Sequence, residues 1–248
     1  MPDKTAWVFG ASGTLGRALV ERLLRNEIRV VAFVNKKQIE DIPDELQSLL
    51  TVTALDLSST FAVYNYLNSS FESLKEPNDI FFCARGKLMP DTQLTTSESI
   101  DQVLDDYQIS FLSPFIVSQF SISKYSNLRT ITFVSSQYAL VGQNPCLYEI
   151  PDSAISSTYS ASKSAVVAAA RNLAITAAKK GVYVNTISLG GIRESAGEEL
   201  VKKIESWIPS GRMISASDAA DFLYSVSQQA PLGLVGSNLV LDMGWIIQ

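Results

Sequence analysis

Short apolar runs alternate with helical stretches along the whole chain, and this alternation limits the choice of fold more than any other feature. The apolar runs are rich in β-branched and aromatic residues, as strands are, and they span residues 5–9, 29–34, 51–55, 80–83, 130–135, 182–188 and 239–241. Helical spacing of apolar residues covers residues 15–26, 101–124, 157–180 and 217–229. Nearly continuous apolar strands joined by helices predict a doubly wound parallel α/β sheet with helices on both faces.

The chain length fits one large α/β domain over residues 1–248. Hydrophobic residues make up 46% of the chain and charged residues 18%, which is enough apolar surface for a core. No linker, repeat or low-complexity segment interrupts the pattern. We expect substrate loops near residues 137–158 and 190–212, because long loops in compact domains are usually functional. The alternative for the first loop is a simple surface insertion.

Charge and apolar run length exclude several classes of partner. Twenty Lys and Arg against twenty-five Asp and Glu leave a net charge of −5 without a basic stripe, so no nucleic-acid partner is predicted. No apolar run approaches the ~18 residues of a membrane span, and the stretch before Gly10 is too short for a signal peptide. The sequence therefore predicts a cytoplasmic protein with reduced thiols and no membrane partner.

The chain contains no histidine, which narrows the chemistry that it can perform. Ser-His-Asp triads, Cys-His dyads and histidine-ligated metals are all excluded. Cys83 and Cys146 are too few for a four-cysteine zinc site or a disulfide framework. We therefore predict no metal site, and a general acid or base must come from another type of side chain.

A glycine-rich turn stands between the first strand and the first helix, and its residues are Gly10, Ala11, Ser12, Gly13, Thr14, Leu15 and Gly16. Glycines at this place allow a tight turn and a close approach of the backbone to phosphate, and the helix N-terminus that follows attracts an anion. The segment lacks the Gly-Lys-Ser/Thr ending of a nucleotide-hydrolysing P-loop. Its position favours a dinucleotide-binding turn over a purely structural one.

The residues after the second strand bear on the choice of cofactor. About 20 residues beyond the glycine turn, a carboxylate would bind the ribose 2′-hydroxyl of NAD. Asn35 stands at this point, followed by Lys36 and Lys37. Because no carboxylate opposes a 2′-phosphate and two ammonium groups attract one, we predict NADP(H) as the preferred cofactor and NAD(H) as the alternative. The lysines could instead only solvate a loop.

Tyr159 and Lys163 lie four residues apart in a predicted helix and therefore share one of its faces. A phenol ionises near pH ~10, and an adjacent ammonium together with a cationic nicotinamide would lower that pKa. Such a phenol can exchange a proton with a substrate oxygen at neutral pH. A tyrosine and a lysine at this spacing are common on helices, so the spacing alone leaves a structural role open.

These motifs resemble those of the short-chain dehydrogenase/reductase family over essentially the whole chain. The Tyr-x-x-x-Lys pair contains small residues between Tyr159 and Lys163, and Ser136 ends the fifth strand where the family carries its catalytic serine. Further matches follow the family's order along the chain and comprise Gly10 and Gly16, Asp56 and Leu57, Asn185 and Gly190, and Asp242, Met243, Gly244 and Trp245.

The resemblance implies a Rossmann-type fold with about seven strands, and hydride transfer between NAD(P)(H) and an alcohol/carbonyl pair. In that scheme Ser136 hydrogen-bonds the substrate oxygen and Tyr159 transfers the proton. Lys163 holds the nicotinamide ribose and lowers the pKa of the phenol. The implied cofactor-binding residues are Gly10, Ser12, Gly13, Thr14, Leu15, Gly16, Asn35, Lys36, Asp56, Leu57, Cys83, Ala84, Arg85, Gly86, Tyr159, Lys163, Gly190 and Ile192.

Two segments depart from the family pattern. Cys83, Ala84, Arg85 and Gly86 stand where the family has Asn-Asn-Ala-Gly, so only the glycine is kept. Arg85 could reach a 2′-phosphate or an acidic substrate group, or face solvent. The helix asparagine that completes the family's catalytic tetrad falls at Ser110, whose shorter side chain would alter the proton path from Lys163.

The leading interpretation is a carbonyl reductase or alcohol dehydrogenase for a small-molecule substrate, with Ser136, Tyr159, Lys163 and Ser110 as catalytic residues. A narrower form is a 3-oxoacyl reductase, although we see no basic patch for a carrier protein. One alternative is a catalytically impaired dinucleotide-binding protein that acts as a sensor or partner subunit. Another is a dehydratase or isomerase on the same scaffold.

Two further expectations concern the pocket and the assembly. Aromatic and apolar side chains of the two loops are expected to line the substrate pocket, namely Tyr138, Leu147, Tyr148, Ile150 and Trp207. The resemblance also implies a homodimer or homotetramer, assembled through the helices near residues 101–124 and 157–180.

Overall fold

The computed structural model describes residues 4–35, 39, 42–70, 73, 75–148 and 155–248. Within these ranges the chain forms a sheet of seven parallel strands in the order β3-β2-β1-β4-β5-β6-β7. The strands are β1 Thr5–Phe9, β2 Arg29–Val34, β3 Leu50–Ala54, β4 Asp79–Phe82, β5 Thr130–Ser136, β6 Tyr183–Leu189 and β7 Asn238–Leu241. The predicted doubly wound parallel sheet is confirmed.

Helices cover both faces of this sheet. In the described part of the chain they are α1 Thr14–Leu24, α2 Thr60–Ser70, α3 Ser97–Tyr107, α4 Ser113–Lys124, α5 Ser157–Ala177, α6 Glu198–Trp207 and α7 Ala216–Gln229. One core packs α2, α4 and α5 on one face, and a second core packs α1 and α7 on the other. None of the helices in these ranges combines the length and the apolar character that a membrane crossing requires.

The strand order places a crevice at the middle of the sheet. Strand β1 lies between β2 and β4, so the chain leaves β1 toward one edge and returns to build the other edge from β4. In sheets of this kind ligands bind outside the carboxyl ends of the strands, at the point where the order reverses. Gly10 directly follows β1 and Cys83 directly follows β4, which brings both motifs to this point.

The helical stretch predicted over residues 101–124 is divided in the structure. Helix α3 ends at Tyr107, a π turn covers Gln108–Leu112, and α4 begins at Ser113. Pro114 has no N–H to donate to the carbonyl of Ser110, as a continuous α-helix would require. The chain widens by one residue there instead, and such π turns are frequent at functional sites.

Candidate active site

The turn after β1 requires glycine at two positions. Gly10 has φ +77°, and a Cβ there would lie 2.5 Å from the backbone nitrogen of Ala84. A Cβ on Gly16 would collide with the carbonyl oxygen of Gly10. The backbone nitrogens of Gly10 and Ala11 both donate to the carbonyl of Phe33 on β2, at 3.1 and 3.2 Å. The turn is therefore held tightly between β2 and the chain that follows β4.

Helix α1 starts immediately after this turn with its N-terminus toward the crevice. Its N-cap is Gly13, whose extended backbone brings no side-chain cap to the first turn. The leading N–H groups of a helix carry a partial positive charge and bind anions when no side chain satisfies them. The arrangement can hold a phosphate group of a ligand.

A cavity of about 590 Å³ runs along the carboxyl ends of the strands. Most of the predicted site residues line this cavity, namely Gly10, Ser12, Gly13, Thr14, Leu15, Gly16, Asn35, Asp56, Leu57, Cys83, Ala84, Arg85, Ser136, Tyr159, Lys163, Gly190 and Ile192. Gly86 and Ser110 do not line it. Lys36 and its neighbour Lys37 lie outside the described residues.

The side chains of Ser136, Tyr159 and Lys163 lie close together where β5 ends against α5. The Lys163 Nζ lies 5.8 Å from the centre of the Tyr159 ring and donates to the carbonyl oxygen of Val134 at 3.3 Å. The Ser135 hydroxyl donates to the carbonyl of Lys163 at 2.8 Å, which ties the strand to the helix. The Ser136 Oγ accepts the N–H of Tyr138 at 3.2 Å.

The surroundings of Tyr159 in the protein by itself change the pKa of its phenol. Burial raises the pKa of Tyr159 above its ordinary value, since a phenolate loses hydration there. A hydrogen bond with Ser136 and the charge of Arg85 lower this pKa, and the carboxylate of Asp106 raises it. In the protein by itself the pKa is therefore raised, whereas the predicted lowering includes a bound cationic nicotinamide and stays a prediction.

The ammonium group of Lys163 is buried, with 2% of the residue exposed. Burial lowers the pKa of Lys163 to about 8. The carboxylate of Asp106 acts against this shift, Arg85 acts with it, and Cys83 acts weakly against it. At pH 7 the side chain remains mostly charged beside a protonated phenol, which is a pair suited to proton transfer.

A sequence profile described as short chain dehydrogenase matches residues 4–205. The chain belongs to the short chain dehydrogenase family. This membership confirms the resemblance and places the chain among oxidoreductases.

Individual relatives are similar over their full length at low identity. The 3-oxoacyl-[acyl-carrier-protein] reductase of Rickettsia bellii is 23% identical over 254 residues, covering 100% of this chain and 98% of the reductase. A short chain dehydrogenase of Leptospira borgpetersenii, solved with bound NAD+, is 21% identical with a TM-score of 0.85, covering 98% and 93% of the two chains. A 4-hydroxyisoleucine dehydrogenase complexed with NADH is 22% identical with a TM-score of 0.84, covering 99% and 100%.

The far end of the cavity of this short chain dehydrogenase is apolar. Tyr138 and Tyr148 line it as expected, whereas Leu147 packs against α6 and Trp207 lies 44% exposed. Ile150 lies outside the described residues. Trp245 also lines the cavity, and its ring packs edge-on against Tyr138 with the ring centres 5.9 Å apart.

Some wall residues are missing from the sequence prediction. Leu200 and Ile204 of α6 reach the cavity together with Met213, which follows the helix. A signal for the first two exists in the sequence, since they are spaced by four residues in a mostly charged stretch and so share one helix face. Met213 stands in no periodic segment, and nothing in the sequence pattern indicates its position.

The structure defines the surroundings of two residues that the sequence analysis named, Asn185 and Cys83. Asn185 lies within β6, where its amide donates to Leu234 O at 2.7 Å and accepts from Ser237 N at 2.9 Å. These two bonds fix the segment that leads into β7. Cys83 does line the cavity, but burial raises the pKa of its thiol to about 12, so it is a neutral wall residue.

Proposed function

We propose that this short chain dehydrogenase transfers a hydride between NADP(H) and a small carbonyl or alcohol substrate, with Tyr159 as general acid and base. The observation that carries the proposal is the meeting of Ser136, Tyr159 and Lys163 on one cavity that ends at an uncapped helix N-terminus. Similarity to proteins solved with NAD+ and NADH supports a nicotinamide dinucleotide.

The residues of the cavity fit such a cofactor. The N-terminus of α1 would hold the diphosphate, because no side-chain cap satisfies its first N–H groups and the close backbone packing at Gly10 and Gly16 shapes the turn before it. Asp56 and Leu57 would contact the adenine end, where the Asp56 carboxylate is fixed by the backbone N–H and hydroxyl of Ser58 at 2.9 and 2.8 Å. Lys163 would bind the nicotinamide ribose. When bound, the cofactor supplies or accepts the hydride.

The chain's own residues would orient the substrate and move the proton. In the reduction direction the Ser136 hydroxyl donates to the carbonyl oxygen of the substrate and holds it beside the phenol. Tyr159 Oη gives its proton to that oxygen as negative charge develops on it. The Lys163 ammonium stabilises the phenolate that remains, an interaction that gains strength only as the charge moves. Oxidation of an alcohol follows the same path in reverse.

Turnover of the reduced cofactor tests the proposal. We expect the purified protein to oxidise NADPH in the presence of at least one class of compound in a panel of aldehydes, ketones and 3-oxoacyl thioesters. NADH is run in parallel. Tight binding of both cofactors without turnover of any compound would support the sensor or partner-subunit alternative instead.

The preference for NADP(H) is tested at Asn35, which lines the cavity just after β2. Asn35→Asp is expected to weaken NADPH binding by about tenfold or more, since a carboxylate repels the multiply charged 2′-phosphate by ~1.4 kcal/mol or more. NADH binding should improve, because the carboxylate can accept from the 2′-hydroxyl. Dissociation constants follow from nicotinamide fluorescence, with Asn35→Gln as the neutral control. An unchanged affinity for NADPH would contradict the preference.

We also propose that two or four copies assemble through α3 and α5. Helix α3 exposes Ile100 and Leu104, spaced one turn apart and 55% and 53% exposed, and α5 exposes Ile175 at 61%. Light scattering is expected to give a dimer or tetramer mass, which Leu104→Glu with Ile175→Glu reduces to that of the monomer. Leu232→Glu serves as control, because Leu232 is 86% exposed and lies beyond α7. A monomeric native protein at micromolar concentration would contradict the assembly.

A further inference from the structure

Asp106 is a buried carboxylate that the proposed function does not use. It lies in the last turn of α3, and 4% of the residue is exposed. Its Oδ1 accepts the backbone N–H of Gly86 at 3.0 Å and the hydroxyl of Ser110 at 2.9 Å. Its Oδ2 is buried and has no hydrogen-bond partner among the described residues. A buried carboxylate satisfied on one oxygen alone is costly unless a positive charge lies near it.

Two other parts of the chain combine to hold this carboxylate. The backbone of Gly86 approaches so closely that a Cβ there would lie 2.5 Å from the Cα of Asp106. Ser110 belongs to the π turn that separates α3 from α4, and its hydroxyl reaches back one turn to Asp106. The segment that carries Gly86 also carries Cys83 and Arg85 of the cavity wall. The carboxylate is thus fixed directly behind that wall.

Helix α3 and the π turn pack against α5, which carries Lys163, and the ammonium of Lys163 is the buried positive charge on which Asp106 acts. Of the charged groups that act on the Lys163 ammonium, Asp106 has the largest effect and attracts it, while Arg85 repels it. Cys83 and the Tyr159 ring complete the titratable groups around the ammonium in the described structure. The hydrogen bond to the carbonyl of Val134, at 3.3 Å, leaves donors of the ammonium for other partners.

We propose that Asp106 is a positioning residue: its buried carboxylate, held in place by Ser110 and the N–H of Gly86, favours the charged form of Lys163 beside Tyr159. The pairing would take over the role that the family assigns to a helix asparagine at position 110. The catalytic consequence rests on the proposed function, whereas the charge pairing can be measured independently of any substrate.

Asp106→Asn separates this role from a purely structural one. The amide oxygen of asparagine keeps the acceptor for Gly86 and Ser110, and only the charge is lost. Ser110→Ala is the matched control, because it removes one hydrogen bond from the same carboxylate and leaves the charge in place.

The titration of Lys163 provides the direct readout. NMR of protein with 13C-labelled lysine, assigned with Lys163→Met, is expected to show a midpoint near pH 8 in the native protein. In Asp106→Asn the midpoint should move lower by about one pH unit or more, the usual effect of removing a nearby opposite charge, and in Ser110→Ala it should move far less. A midpoint that Asp106→Asn leaves unchanged would overturn the proposal.

The pH dependence of kcat gives a second readout, because a purely structural role of Asp106 would not change its midpoint. The alkaline fall of kcat for carbonyl reduction should shift to lower pH in Asp106→Asn, whereas a loosened fold would reduce kcat equally at all pH values. A shifted midpoint in a protein that reduces no carbonyl compound would refute the proposed function and leave the charge pairing intact.

A double-mutant cycle keeps the proposal testable if Asp106→Asn folds poorly. In urea unfolding, Asp106→Asn should destabilise the native protein but be neutral or stabilising in the Lys163→Met background, where the carboxylate has lost its partner. If Asp106→Asn alone does not fold but the double variant with Lys163→Met does, this result supports the pairing in the same way. Equal destabilisation in both backgrounds would overturn it.

Discussion

Tyr159→Phe is expected to lower kcat for carbonyl reduction by about 10²–10⁴-fold, the usual contribution of a general acid. The substitution removes the phenolic oxygen alone, and with it the proposed proton donor, which interacts with Ser136. The ring keeps its half-buried place beside Lys163, so the dissociation constant for NADPH should change little. Stopped-flow measurement of NADPH oxidation and fluorescence titration of NADPH give the two quantities separately.

Tyr64→Phe is the control for this experiment, because Tyr64 lies on α2 and is 55% exposed. It removes the same atom from a tyrosine outside the cavity and should leave both quantities unchanged. Turnover of Tyr159→Phe at the native rate would show that the proton comes from another group, and the assignment of Tyr159 as general acid would be wrong.

Lys163→Met is expected to abolish turnover and at the same time to stabilise the fold. The native ammonium is buried, and its pKa of about 8 lies below the ordinary 10.5. The charged form of Lys163 therefore lowers the free energy of unfolding at pH 7. One pKa unit corresponds to ~1.4 kcal/mol, so the free energy of unfolding should rise by about 3 kcal/mol in the variant. Urea unfolding at pH 7 measures this gain, while NADPH oxidation measures the loss of activity.

The stability difference between Lys163→Met and the native protein should depend on pH. Below pH 8 the lysine is protonated in both the folded and the unfolded native chain, and the full cost of burial remains. Between about 8 and 10.5 the unfolded chain binds the proton and the folded chain does not, so the native protein gains stability as the pH rises. A gap between the two proteins that stays constant over this range would contradict the burial of a charged lysine.

The strands were predictable because each is an apolar run bounded by turn residues, and all seven lie within one residue of their expected limits. Helix α2 is absent from the prediction, since residues such as Thr60, Val63 and Asn68 have modest helix propensity. The interruption at Gln108–Leu112 was also missed, although Pro114 marks it. Tertiary packing decided these helices more than local preference did.

Site residues that belong to a sequence motif could be predicted. Residues whose charge or pKa depends on burial could not. Helix α3 buries Asp106 and exposes Ile100 and Leu104, the reverse of what a simple amphipathic pattern indicates. The adjacent Asp105 is exposed, and nothing in the sequence distinguishes the two carboxylates. The pKa of Tyr159 depends on the same factor, since desolvation outweighs the charges and the hydrogen bond around it.

A crystal structure of the protein with NADP+ tests the central claim most directly. We predict that the diphosphate lies at the N-terminus of α1 and that the reactive carbon of the nicotinamide faces the hydroxyl groups of Tyr159 and Ser136. A complex in which the nicotinamide lies away from these two hydroxyl groups, or in which the Tyr159 oxygen points out of the cavity, would contradict the account.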